Sequence, residues 1–73
     1  MNNERYTMDY VASRLLKLRK ELGLSQYQFA EQIGLREKTY VHYEKGRNTP
    51  PLQNMVVICN TFGVDVNYFL KGV

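Results

Sequence analysis

Apolar residues recur at intervals of three and four along most of the chain, and each run but the last closes on a glycine. Val11, Leu15, Leu18 and Leu22 trace one helical face that stops before Gly23. Phe29, Ala30 and Ile33 form a second, shorter stripe ending at Gly34, and Tyr40 and Tyr43 form a third before Gly46. Leu52, Met55, Ile58, Cys59 and Phe62 make the most apolar run, expected to be mostly buried, and Gly63 closes it. Val66, Phe69 and Leu70 add a last short edge. No stretch alternates with the period of two that a half-buried strand needs, so the pattern predicts an all-α fold.

The strongest local signals lie between Ser25 and Gly46. Ser25 and Gln28, three residues apart, have the form of a capping box, in which each side chain accepts from the other residue's backbone N–H. Leu24 and Phe29 have the spacing of a hydrophobic staple at the same helix start. Gly34 can adopt the left-handed conformation that ends a helix without a Cβ penalty. That leaves Gly34, Leu35 and Arg36 as the turn, before a helix from about Glu37 to Lys45 with Leu35 and Tyr40 as its staple. Two helices joined by three or four residues that include glycine are the sequence form of a helix-turn-helix, whose second helix can lie in a DNA major groove.

The rest of the chain reads as support for that unit. Residues 1–8 lack periodicity and are expected to be a flexible arm, with the domain over 9–73 and Asp9 the candidate N-cap of the first helix. Lys45 to Pro51 is a loop, with two prolines leading into the next helix, and Asp65 is the candidate cap of a last helix from Val66 to Leu70.

Leu22-Gly23-Leu24-Ser25-Gln26, Phe29-Ala30, Ile33-Gly34 and Tyr43-Glu44-Lys45-Gly46 followed by Pro50 resemble the Cro/phage-repressor class of helix-turn-helix proteins, often called the XRE family. The resemblance implies a compact five-helix, lambda-repressor-like domain that binds double-stranded DNA as a dimer. It also implies that Arg19 pairs with Glu44 and that Gln26 contacts the DNA backbone. The chain departs from the family's pattern at five places. Arg36 stands where a Ser, Thr or Asn cap is usual, Tyr40 where a β-branched residue is usual, and Val41 at a commonly polar position. Pro51 replaces a polar cap, and Cys59 a small residue such as Ala.

Within this frame the expected base-reading residues are Arg36, Glu37, Lys38, Val41 and His42, which lie away from the Tyr40/Tyr43 edge. Lys38 can donate to guanine O6 and N7, Glu37 can accept from cytosine N4, His42 can donate to a purine N7 or thymine O4, and Val41 can touch a thymine methyl. The expected phosphate contacts are Ser25 and Gln26 at a helix N-terminus, Thr39, the Tyr40 hydroxyl, and Lys45, Arg47 and Asn48. Val66, Tyr68, Phe69, Leu70 and Val73 form the expected dimer patch.

Composition narrows the alternatives. At 73 residues the chain is expected to be one domain that buries only about 60% of its unfolded surface, so its core is small. Ten Lys/Arg against seven Asp/Glu give +3, a mild bias that suits a polyanionic partner. A single cysteine fits a reduced interior, and the absence of an apolar leader or of a run near 20 apolar residues fits a cytoplasmic protein off the membrane. No effector domain is expected at this length. Cys59 and His42 cannot by themselves make a four-ligand zinc site, and no Gly-rich phosphate loop or nucleophile with its base is present. No metal, cofactor or enzymatic activity is therefore expected. The rival reading is a protein-interaction module, such as an antitoxin-like or co-regulator partner, which Glu37 on the outward face and the modest charge favour.

Overall fold

A computed structural model of the chain describes residues 6–72. Four α-helices follow one another: α1 (Met8–Leu22), α2 (Gln26–Gln32), α3 (Glu37–Glu44) and α4 (Leu52–Phe62). A single 3-10 turn, Val66–Phe69, completes the order, and the described residues contain no strand. The expected fifth helix is thus one turn only. Asp65 caps it through a 2.7 Å bond from Asn67 N–H, but Leu70 is already extended at φ −106°, ψ 120°, so the turn cannot propagate.

The start of α1 also differs from expectation. Thr7, not Asp9, is the N-cap, its hydroxyl accepting from Tyr10 N–H at 3.2 Å, and Asp9 sits in the first turn where its charge complements the helix dipole. Residues 6–8 accordingly belong to the fold rather than to an arm. Tyr6 donates its hydroxyl to the Pro50 carbonyl at 3.2 Å, which anchors the chain just before the cap. The remainder of the expected arm, residues 1–5, lies outside the described residues.

The capping box at α2 is present in both directions: Ser25 Oγ accepts from Gln28 N–H at 3.0 Å, and Gln28 Oε1 accepts from Ser25 N–H at 2.9 Å. Gly34, at φ +72°, then turns the chain into α3. Arg36 at the α3 cap makes no side-chain bond, as expected for a residue with no acceptor.

The core is aromatic at its centre. The Phe29 ring lies between Tyr40 and Phe62, stacked at centroid distances of 4.6 and 4.5 Å, and so ties α2, α3 and α4 into one layer. Val11, Leu15, Met55, Ile58 and Phe69 close around it, each almost wholly buried. Leu22 and Leu52 are exposed despite lying on the periodic stripes. Each sits in a terminal turn of its helix, beyond the elements that cover the stripe's middle. Val56 and Val57 are exposed as well, so α4 buries one face and is less enclosed than its hydropathy predicts.

Candidate nucleic-acid interface

The site is built by the ends of α2 and α3 and by what holds them together. Arg19 reaches from α1 to the last residue of α3 and grips the Glu44 carboxylate with two donors, Nε to Oε2 at 2.5 Å and Nη2 to Oε1 at 3.1 Å. Its Nη1 donates to the Leu24 carbonyl at 3.0 Å, just before α2. Gln26, the first residue of α2, donates Nε2 to Glu44 Oε1 at 3.1 Å. One carboxylate therefore joins three helices. Burial pushes the Glu44 carboxyl up, but the hydrogen bonds of Arg19 and the proximity of Tyr40 and Gln26 outweigh it and hold the pKa below the ordinary carboxylate value. The Arg19 guanidinium is raised in turn, chiefly by its bond to Glu44.

Around this lock, Arg36, Glu37 and Lys38 are exposed, while Thr39, Val41 and His42 are half-buried. Lys45, Arg47 and Asn48 are exposed after the helix. The chain there is held in place by backbone bonds from Gly46 to Tyr43 and from Arg47 to His42. Gly46 has φ +73°, and a Cβ on it would lie 3.4 Å from Asp9 Oδ1, so this turn packs closely on the start of α1. Tyr43 accepts from Asn54 Nδ2 at 3.1 Å, which couples α3 to α4.

Two sequence expectations need correction. Tyr40 cannot touch a phosphate: it is fully buried, stacked on Phe29, and its hydroxyl has no hydrogen-bond partner. The hydroxyl lies beside Glu44 without a well-formed hydrogen bond, and burial first, then its contact with that carboxylate and the carboxylate's charge, push its pKa far up. Ser25 is exposed; its N–H is taken by the capping box and its hydroxyl accepts there, which leaves the hydroxyl proton to donate, beside the second amide proton of Gln26, whose first goes to Glu44. Phe69 is a core residue and not part of an exposed patch.

Of the remaining expected dimer patch, Val73 lies outside the described residues. Tyr68 is covered by Arg14, whose guanidinium stands 3.8 Å from the ring centroid while its Nε donates to the Tyr68 carbonyl at 2.9 Å. Val66 and Leu70 are accessible, and with Tyr6, Pro50, Leu52 and Met55 they line an apolar groove of about 260 Å³. Neither the Gln26–Glu44 bond nor the Asn54–Tyr43 bond has a sequence signal. Both join residues whose neighbourhood exists only once the helices have packed.

Among the described residues no group of three or more His, Cys, Asp and Glu could hold a metal. Cys59 is half-buried, and burial first, then the charge of Asp65, raises its thiol pKa. No described helix is long and apolar enough to cross a membrane.

Two short helices joined by a glycine turn, with the second exposed at its start and pinned at its end, define a helix-turn-helix domain. The family model for the helix-turn-helix domain matches residues 12–73, and the chain belongs to that family, as its resemblance to the Cro/phage-repressor class implies. It is 39% identical over 57 residues to an uncharacterised HTH-type transcriptional regulator, YobD, of Bacillus subtilis, covering 78% of this chain and 51% of that protein. It is 34% identical over 55 residues to the cryptic phage CTXphi transcriptional repressor RstR of Vibrio cholerae, covering 75% and 50%. The chain thus spans about half the length of the curated relatives it matches. Among solved structures, the hypothetical transcription factor NHTF from Neisseria superposes with a TM-score of 0.81 at 23% identity, over 96% of this chain and 79% of that one. A hydroxypropylphosphonic acid epoxidase from S. wedmorenis shares the fold with a TM-score of 0.79 at 15% identity, over 36% of its own chain. That likeness concerns the fold alone.

Proposed function

We propose that this chain is a sequence-specific, double-stranded DNA-binding transcriptional regulator, a repressor that occupies a pseudo-palindromic operator as a dimer. The observation that carries the reading is α3 itself: Arg36, Glu37 and Lys38 are exposed at its start, while Arg19 and Gln26 hold its end through Glu44. A helix held this way can enter a major groove without losing its orientation. Lys38 and Arg36 then donate to guanine edges, Glu37 accepts from cytosine, and Val41 and His42 reach the next bases. Gln26, Thr39, Lys45, Arg47 and Asn48 hold the phosphates and fix the register. The names of the relatives, HTH-type regulators and a phage repressor, support the same reading.

A dimer would place two such helices about 34 Å apart along the DNA. Val66, Leu70 and the exposed Leu52 beside the groove are the apolar residues offered for that contact. Repression would follow from occupancy of the promoter.

The competing reading, a module that binds a protein, draws on the exposed acid Glu37 and on the same apolar groove. Salt separates the two. Affinity for duplex DNA should fall with a log–log slope of about −0.9 per neutralised phosphate, whereas a protein-binding module has no duplex affinity to lose. Fluorescence anisotropy of a labelled duplex, titrated with the protein across a salt series, decides between them.

A further inference from the structure

We infer that Glu44 is a positioning residue for Gln26, fixing which end of that amide meets a DNA phosphate; this rests on the DNA-binding reading above. An ionised carboxylate can only accept hydrogen bonds, so the end of the Gln26 amide that faces Glu44 must be its NH2 group. The 3.1 Å contact from Nε2 to Oε1 has that polarity. One of the two amide protons goes to Glu44, and the second remains for an acceptor outside the protein. The amide oxygen, which a phosphate would repel, is held on the other side of the group.

Arg19 completes the device. It occupies both Glu44 oxygens, so the carboxylate stays ionised and its charge is cancelled beside a surface meant for an anion. A glutamine without this tether turns freely, presents its oxygen as often as its nitrogen, and must be ordered when DNA binds. The tether orders it beforehand. The end of α3 would thereby set the geometry of a contact made by α2, so that base reading and backbone gripping share one anchor.

A double-mutant cycle tests this, read as affinity for the duplex recovered from a random library, with thermal melts of each variant. Glu44→Asp keeps the charge for the long Arg19 side chain but withdraws the carboxylate from Gln26 by one methylene. It should weaken binding roughly three- to ten-fold, the range of one lost hydrogen bond. In the Gln26→Ala background the same change should weaken binding less than about two-fold, because the contact it positions is gone. Equal losses in both backgrounds, with Gln26→Ala itself weakening binding, would overturn the positioning role and leave DNA binding standing. No duplex affinity in the unmutated protein would overturn both. If Glu44→Asp melts below the assay temperature, the same cycle is run at a lower temperature where all four proteins are folded: a loss that disappears beside Gln26→Ala supports the positioning role, and an equal loss overturns it.

Discussion

Arg19 and Glu44, 25 residues apart in sequence, meet side-on as a two-donor ion pair whose side chains are only 15% and 5% exposed. Such a pair is asymmetric in its energetics: forming it gains little over an apolar pair, but removing one member strands the other. The guanidinium is needed because it alone fills both carboxylate oxygens and still reaches the Leu24 carbonyl. Arg19→Ala should therefore destabilise the domain by about 2 to 4 kcal/mol, somewhat less than a fully buried pair since Arg19 keeps some water contact. Urea unfolding monitored by circular dichroism measures it, and a loss below about 1 kcal/mol would show that water replaces the guanidinium.

Acid should weaken the same lock. The folded pKa of Glu44 is held below its ordinary value of 4.5, so its contribution to stability is complete above that value and is lost as pH falls from about 4.5 through the lowered folded pKa. Glu44→Gln does not titrate there. The stability difference between the two proteins, large near neutrality, should shrink as pH drops below about 4.5, and a constant difference would remove Glu44 from the acid response.

Tyr40→Phe offers the opposite test. The hydroxyl is buried with no partner, so deleting it removes a desolvated polar group and leaves the ring stacked on Phe29. With no well-formed bond to lose and only a loose contact with Glu44, stability should change by less than about 1 kcal/mol, and duplex affinity should not move. A marked drop in affinity alone would mean that the hydroxyl reaches the DNA after all.

Arg36 and Lys38 should respond differently to substitution. Arg36→Ser supplies the acceptor missing at the α3 cap and should stabilise the fold by about 1 kcal/mol, while removing a cation from the binding face. Lys38→Ala should leave stability alone and relax preference at a guanine by about 1 to 3 kcal/mol. Melting curves and a panel of single-base operator variants distinguish the two effects. A uniform loss across the panel for Lys38→Ala would make it a phosphate contact instead.

What can be read from the chain is local. Ser25 with Gln28, and the glycine at 34, act within one turn of backbone, and the structure has the capping box and the left-handed turn where those residues stand. Thr7 and Asp9 are both competent caps, and the choice between them falls to Thr7 where Tyr6, held by a carbonyl 44 residues away, sets the entry to α1. Leu22 and Leu52 carry the right period but lie at helix ends, where periodicity says nothing about what is there to cover them. Tyr40 illustrates the limit most clearly. Its spacing marks it as buried and its hydroxyl suggests a phosphate contact, yet full burial allows only the first. The bond from Gln26 to Glu44, between residues 18 apart on two helices, needs the packed structure to be seen.

The most direct test of sequence-specific operator binding is selection from a random duplex library with the purified protein at two salt concentrations, followed by sequencing of the bound pool. A dimeric regulator should enrich an inverted repeat whose half-sites lie about one helical turn apart, with enrichment sharper at the higher salt where non-specific binding falls away. Folded protein that enriches no sequence at either salt would contradict operator recognition and turn the search to a protein partner.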